Sequence, residues 1–177
     1  MLFQTTEISG LIAVRLERFV DTRGSFARLF CEDEFASQKL PSKFLQQSLS
    51  VTKLTGTLRG MHFQRPPHAE CKYVRCVRGS IYDVVADMRP ASPSFLHWQA
   101  FCLTADDDLS LLIPKGCAHG FQTLTDDCEV LYEMDTPYHP ESANGFRYDD
   151  PTFRIAWARE VTVIADKDLT WPPFLPR

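Results

Sequence analysis

From Leu11 to Trp157 the chain runs in short β-branched and aromatic stretches broken by Gly, Pro, Asp and Ser. Within many stretches apolar and polar positions alternate, the period of a strand with one buried face. This pattern predicts strands at Leu11–Leu16, Phe26–Phe30, Phe44–Thr52, Thr57–Gln64 and Lys72–Arg78. Further strands are expected at Ile81–Met88, Trp98–Leu103, Ser110–Ile113, Gly120–Leu124 and Glu129–Met134. One helix is expected over Glu32–Leu40, where Phe35 and Leu40 give a thin apolar stripe and Pro41 stops it. Short strands at this spacing read as a closed or sandwiched antiparallel sheet, not as βαβ units. No internal repeat, low-complexity tract or linker interrupts the pattern, so residues 1–177 read as a single domain.

Parity assigns faces. Lys72, Val74 and Cys76 point one way and Tyr73, Arg75 and Val77 the other. Val130, Tyr132 and Met134 share a face opposite the more acidic Glu129, Leu131 and Glu133, so Tyr132 is expected to point inward. From Arg147 to Arg177 the chain is richer in Pro and aromatics, including Trp157, Trp171 and Phe174, and reads as a wrap over the barrel or as a packed terminal segment.

Composition narrows the function. A net charge of −4 argues against a basic nucleic-acid footprint, and no apolar run reaches the ~20 residues of a membrane span. The start, Met1 to Glu7, lacks a basic and apolar leader, so no signal peptide is expected. Thirteen Phe, five Tyr and three Trp exclude disorder. The six cysteines form no C-x-x-C pair and read as reduced thiols of a soluble, cytoplasmic protein.

Two segments carry candidate chemistry. One is Leu58-Arg59-Gly60-Met61-His62-Phe63-Gln64, and the other is Pro114-Lys115-Gly116-Cys117-Ala118-His119-Gly120-Phe121, a P-x-G-x-x-H turn. A glycine hairpin at Gly79 lies between them. A strand with a histidine, a glycine hairpin and then P-x-G-x-x-H is the order of cupin barrels. Metal-dependent cupins carry H-x-H on the first segment, but here His62-Phe63-Gln64 lacks the second imidazole. Glu70 is the acid that could be offered for a 2-His-1-carboxylate site, and it follows Pro66-Pro67 in an apparent loop. His68, His97 and His139 read as surface residues.

General acid–base work suits a histidine freed from a metal. It needs an orienting carboxylate, an acid across the substrate and a cation for a developing oxyanion. Asp83 and Asp168 are the candidate orienters, Tyr132 the candidate acid and Lys72 the candidate cation. Arg59 and His62 are three apart, so a flat strand sends them to opposite faces; a bulge at Gly60 would bring both inward.

Arg59-Gly60-Met61-His62-Phe63-Gln64, Lys72-Tyr73-Val74-Arg75-Cys76, Asp83 to Arg89 and Pro114 to Phe121 resemble the dTDP-4-dehydrorhamnose 3,5-epimerase family. Asp21-Thr22-Arg23-Gly24-Ser25-Phe26 is similar to that family's D-x-R-G-x-F segment, and Asp149-Asp150-Pro151 to its late turn. The resemblance implies an all-β, cupin-type jelly-roll barrel with a few short helices. It also implies a homodimer needing no cofactor or metal, which inverts C3 and C5 of a nucleotide-linked 4-keto-6-deoxyhexose. By motif, His62 becomes the proton-abstracting base, Tyr132 the opposing proton donor, Lys72 the enolate stabiliser and Asp168 the partner of the histidine. Arg23, Gln47, Arg59, His119 and Lys167 fall on substrate-contact positions.

Three positions depart from the family pattern. Arg28 stands where an acid is usual, the stretch Gln46-Gln47-Ser48-Leu49-Ser50 lacks the Asn often found there, and Glu141 lies four residues before Gly145. These departures touch nucleotide and sugar contacts, so the reaction class is firmer than the nucleotide. Inversion at C3 alone or a non-dTDP sugar is the alternative within the class. A metal-dependent cupin oxygenase and a non-catalytic sugar-binding cupin are the alternatives outside it.

Overall fold

The computed structural model describes residues 1–175. The strands in chain order are β1 (Leu2–Thr5), β2 (Ile12–Arg15), β3 (Arg18–Asp21), β4 (Gly24–Ala27), β5 (Gln46–Thr52), β6 (Thr57–Gln64) and β7 (Lys72–Arg78). They continue with β8 (Ser80–Asp87), β9 (Trp98–Thr104), β10 (Leu109–Ile113), β11 (Cys117–Thr123), β12 (Cys128–Met134), β13 (Ala143–Gly145) and β14 (Val163–Ile164). Two short helices, α1 (Glu32–Ser37) and α2 (Asp166–Leu169), complete the set. Six strands form one sheet in the order β1-β2-β10-β7-β12-β5. The second sheet runs β13-β6-β11-β8-β9, with β14 added parallel to β6. Strands β3 and β4 form a separate hairpin. This is the expected all-β cupin jelly roll.

Parity explains why the two sheets pack. Val74, Cys76, Leu111 and Val130 from the first sheet meet Ile81, Val85, Leu103 and Phe121 from the second in one buried core. Each such aliphatic or aromatic side chain contributes roughly 1.5–3 kcal/mol through burial. Tyr73 faces the other way, as alternation requires, and joins a cluster on the outer face of the first sheet with Phe35, Ile12, Val14 and Leu112. Phe3, Phe30 and Tyr73 each meet the Phe35 ring edge-on at 5.0–5.2 Å.

Helix α1 ends at Ser37, short of the expected Leu40. Lys39 takes a left-handed φ of +58°, and the amides of Lys39 and Leu40 turn back onto the Ala36 and Phe35 carbonyls. That pair of hydrogen bonds closes the helix before Pro41 can. The expected strand Phe26–Phe30 is instead Gly24–Ala27, because Asp21–Gly24 turns tightly and pairs it with β3.

The tail does wrap over the second sheet, the last two residues lying outside the described range. Phe153, Ile155, Trp157 and Phe174 cover Met61, Val84, Ala86 and Ala118 on its outer face. The Trp98 indole N–H donates to the Phe153 carbonyl, fixing the wrap to β9. This path carries α2 back to β6, where it closes one end of the space between the sheets. Among the described residues no helix is long and apolar enough to cross a membrane.

Candidate active site

A cavity of about 600 Å³ opens between β6 and β11 on one side and β5, β7 and β12 on the other. His62, Arg59, Lys72, His119, Tyr132, Lys167 and Asp168 all line it. The local fold explains why β6 can present both Arg59 and His62. Opposite β11, His62 pairs with His119 and Arg59 with Phe121, so three steps on β6 match two on β11. The extra residue is the bulge expected at Gly60. Gly60 has φ +143°, and a Cβ there would lie 2.5 Å from the Gly120 Cα, so only glycine fits.

His62 Nε2 lies 2.6 Å from Asp168 Oδ1, and the Gly60 amide donates to Asp168 Oδ2 at 3.2 Å. Both carboxylate oxygens are thereby fixed, while the Asp168 side chain is only 5% exposed. Burial alone would push the Asp168 carboxyl up. The His62 hydrogen bond and charge, with the Gly60 N–H, outweigh it and hold Asp168 below the ordinary carboxylate range. Asp168 therefore stays anionic beside the ring. Asp83, the other candidate orienter, is not near His62 in this role. It pairs with His119, Nε2 to Oδ2 at 2.8 Å, in a buried unit whose Asp83 Oδ1 has no hydrogen-bond partner.

Tyr132 is half-buried between the sheets and lines the cavity. Burial, and then the Asp83 carboxylate, push its phenol well above the usual value, and Arg59 pulls weakly the other way. The phenol is thus a neutral proton donor at pH 7. Its ring meets His119 edge-on at 5.8 Å. Lys72 Nζ donates to the His62 carbonyl at 3.2 Å and pairs with Glu70 Oε1 at 3.0 Å. Arg59 is steered by its Nε donating to Thr52 Oγ1 at 3.1 Å. Lys167 stands 5.4 Å over the Trp171 ring.

Two expected contacts fall elsewhere on the chain. Gln47 points away from the cavity and donates to Glu133 Oε1 at 2.8 Å; its neighbours Gln46 and Ser48 line the wall instead. The β5–β12 register explains it, since Ser48 lies opposite inward-facing Tyr132 and Gln47 opposite outward-facing Glu133. Arg23 lies at the exposed tip of the β3–β4 hairpin, paired with Asp21, and does not line the cavity of its own chain.

Two further wall residues, Trp171 and Glu70, serve differently from what the sequence suggests. Trp171 meets the His62 ring at 6.3 Å. It lies just past the end of α2, and Gly145 leaves room for its ring. Glu70, weighed above as a metal ligand, is the buried counter-ion of Lys72.

A ring-sized cavity with an oriented histidine, a neutral phenol and a fixed ammonium is equipped for proton abstraction beside a carbonyl. The class is a cupin-fold isomerase. The chain belongs to the dTDP-4-dehydrorhamnose 3,5-epimerase family, which it matches over residues 5–175. It is 36% identical over 173 residues to the dTDP-4-dehydrorhamnose 3,5-epimerase of Sinorhizobium fredii, covering 97% of this chain and 89% of that one. A crystal structure of the Bacillus anthracis dTDP-4-dehydrorhamnose 3,5-epimerase with TDP and PPi bound superposes with TM-score 0.94 at 32% identity, covering 98% and 99% of the two chains. A 3'-monoepimerase from Streptomyces bikiniensis, in complex with dTDP-quinovose, superposes with TM-score 0.88 at 28% identity, covering 95% and 85%.

Proposed function

We propose that this protein inverts C3 and C5 of dTDP-4-dehydro-6-deoxyglucose, giving dTDP-4-dehydrorhamnose, by acid–base chemistry in the cavity. The observation that carries the reading is the His62–Asp168 pair at 2.6 Å sharing one cavity with Tyr132 and Lys72. The C4 ketone acidifies the hydrogens on both neighbouring carbons. Asp168 accepts the Nε2 proton of His62, which leaves the other ring nitrogen as the base. That nitrogen takes the C3 proton, and the C–H electron pair forms a C3–C4 enolate. The ammonium of Lys72 stabilises the charge on O4, and Asp168 stabilises the imidazolium.

Tyr132 then gives its phenolic proton to the opposite face of C3, which inverts the centre. Solvent exchange returns the imidazolium proton to the phenolate, so the protein regains its starting state. The same sequence at C5 completes the reaction. Arg59 and Lys167 supply cationic contacts for the diphosphate, and His119, held through Nε2 by Asp83, offers its other ring nitrogen to a sugar hydroxyl. The chemistry needs neither cofactor nor metal.

The protein works as a homodimer. Phe19, Val20 and Phe26 on the β3–β4 hairpin are more than 70% exposed. Leu49 and Val51 are exposed on the outer face of edge strand β5. Such apolar surface is best covered by a second copy, and the hairpin brings Arg23 to a substrate only across that interface. All six cysteines are free thiols, which supports a reducing cytoplasm.

The test is proton NMR of dTDP-4-dehydro-6-deoxyglucose with the protein in D2O. Loss of both H3 and H5 signals, with dTDP-4-dehydrorhamnose formed, is the expected result. Loss of H3 alone would support the second reading, an epimerase of C3 only, which the likeness to the 3'-monoepimerase favours. No exchange at either carbon would overturn both.

A further inference from the structure

Two of the histidines that read as surface residues meet on a rim that the reaction does not use. His68 and His139 stack with ring centroids 3.6 Å apart and planes 11° from parallel. Glu141 stands beside them, and one donor atom from each of the three residues lies within 4.8 Å of the other two. We propose that His68, His139 and Glu141 form a binding site for one zinc-class divalent cation, which ties two loops together beside the cavity.

The donor set selects the ion. Two imidazole nitrogens and one carboxylate oxygen suit Zn2+, whereas Mg2+ and Ca2+ demand oxygen ligands throughout. Three protein ligands leave a fourth tetrahedral position for water. With metal–nitrogen bonds of about 2.0–2.1 Å, tetrahedral ligand atoms stand roughly 3.3 Å apart. Because the rings stack face to face, one of them must swing out of the stack to bring both nitrogens onto one ion.

Hydrogen bonds hold one nitrogen of each ring, and the one from His139 runs to Glu141, itself a ligand of the proposed site. His68 Nδ1 meets Ser142 Oγ at 2.9 Å, and His139 Nδ1 meets Glu141 Oε1 at 3.1 Å. The second nitrogen of each ring has no protein partner among the described residues. Glu141 keeps a second oxygen for the cation.

The backbone beneath the three residues is held in place. The buried amide of Gln64 donates to the His68 carbonyl at 3.0 Å, and its oxygen accepts the His139 N–H. The Arg65 amide donates to the Ser142 carbonyl at 2.8 Å. One side chain thus fixes both ligand-bearing loops, and that side chain lines the cavity. A cation bridging the loops would brace the wall that Gln64, Tyr138 and Ala143 build.

The test uses the full chain without an affinity tag, stripped with a chelator. Zn2+ is titrated by calorimetry, and Co2+ serves as a probe whose visible absorption reports tetrahedral coordination. The expected result is one equivalent per chain, with tetrahedral Co2+ bands and a higher melting temperature in Zn2+. His139→Gln and Glu141→Gln should each weaken Zn2+ at least about tenfold and abolish the Co2+ bands. Glu141 is exposed, so its variant keeps the test valid should the histidine variant fold poorly. No binding by the wild type, or unchanged affinity in either folded variant, would overturn the site.

Discussion

Asp168→Asn removes one charge and keeps the shape, which makes it the most informative change to the site. Asp168 now accepts from the Gly60 amide at 3.2 Å and contacts His62 Nε2 at 2.6 Å. Hydrogen bonds to a charged group contribute roughly 1.5–3 kcal/mol, or about 10- to 150-fold in rate if lost only in the transition state. A second effect adds to this. The asparagine oxygen must face the Gly60 N–H, so its NH2 faces His62 and forces Nε2 to accept. The ring proton then moves to Nδ1, the nitrogen that should act as base. An orienting aspartate changed to asparagine has cost ~10⁴-fold by this tautomer reversal in a serine-protease triad. The expected fall in kcat is therefore about 10²- to 10⁴-fold, with KM changed little because the nucleotide contacts remain. Wash-in of deuterium at C3, followed by NMR under saturating substrate, reads it directly. A variant within about threefold of wild type would refute the orienting role of Asp168.

Two further substitutions separate stability from chemistry. Lys72→Met should slow exchange by about 10²-fold or more by removing the cation at O4. It should also cost about 1–3 kcal/mol, because it strands Glu70, whose Oε2 already lacks a partner. Adding Glu70→Met should restore most of that stability in urea melts and none of the rate; recovery of both would contradict the assignment. At Asp87 burial opposes ionisation, but the Arg89, Ser92 and Ser94 hydrogen bonds win and bring the carboxyl from 3.8 to about 2. The folded value lies below the unfolded one, so its stabilisation is present above about pH 4 and fades as pH falls toward 2. Asp87→Asn should cost about 2 kcal/mol at pH 7 and roughly half that at pH 3. A gap that does not narrow in denaturant melts across this range would show that the charge is not responsible.

The barrel was legible because its strands obey parity. Val74 and Cys76 went inward and Tyr73 outward, and Tyr132 faced the cavity with Val130 behind it. The bulge at Gly60 followed from a conflict inside the sequence, two functional side chains three residues apart on one strand. Other parts depend on pairings that no local pattern encodes. Strand β14 has two residues and α2 four, too short for any period, and both are placed by the tail's path over β6. That path also decides between Asp83 and Asp168. Asp83 is delivered to His119 by the β8–β11 pairing, and Asp168 reaches His62 from the far end of the chain. Gln47 was misplaced because motif position alone ignores the one-residue step that separates Ser48, opposite Tyr132, from Gln47, opposite Glu133.

The central claim is that His62 removes the proton and Tyr132 returns one from the other side. Its most direct test is proton NMR of dTDP-4-dehydro-6-deoxyglucose in D2O with His62→Asn and Tyr132→Phe beside the wild type. The account predicts no exchange at H3 or H5 with His62→Asn. With Tyr132→Phe it predicts exchange of H3 by the intact base but almost no inverted product. Exchange at the wild-type rate with His62→Asn, or normal inversion with Tyr132→Phe, would contradict it.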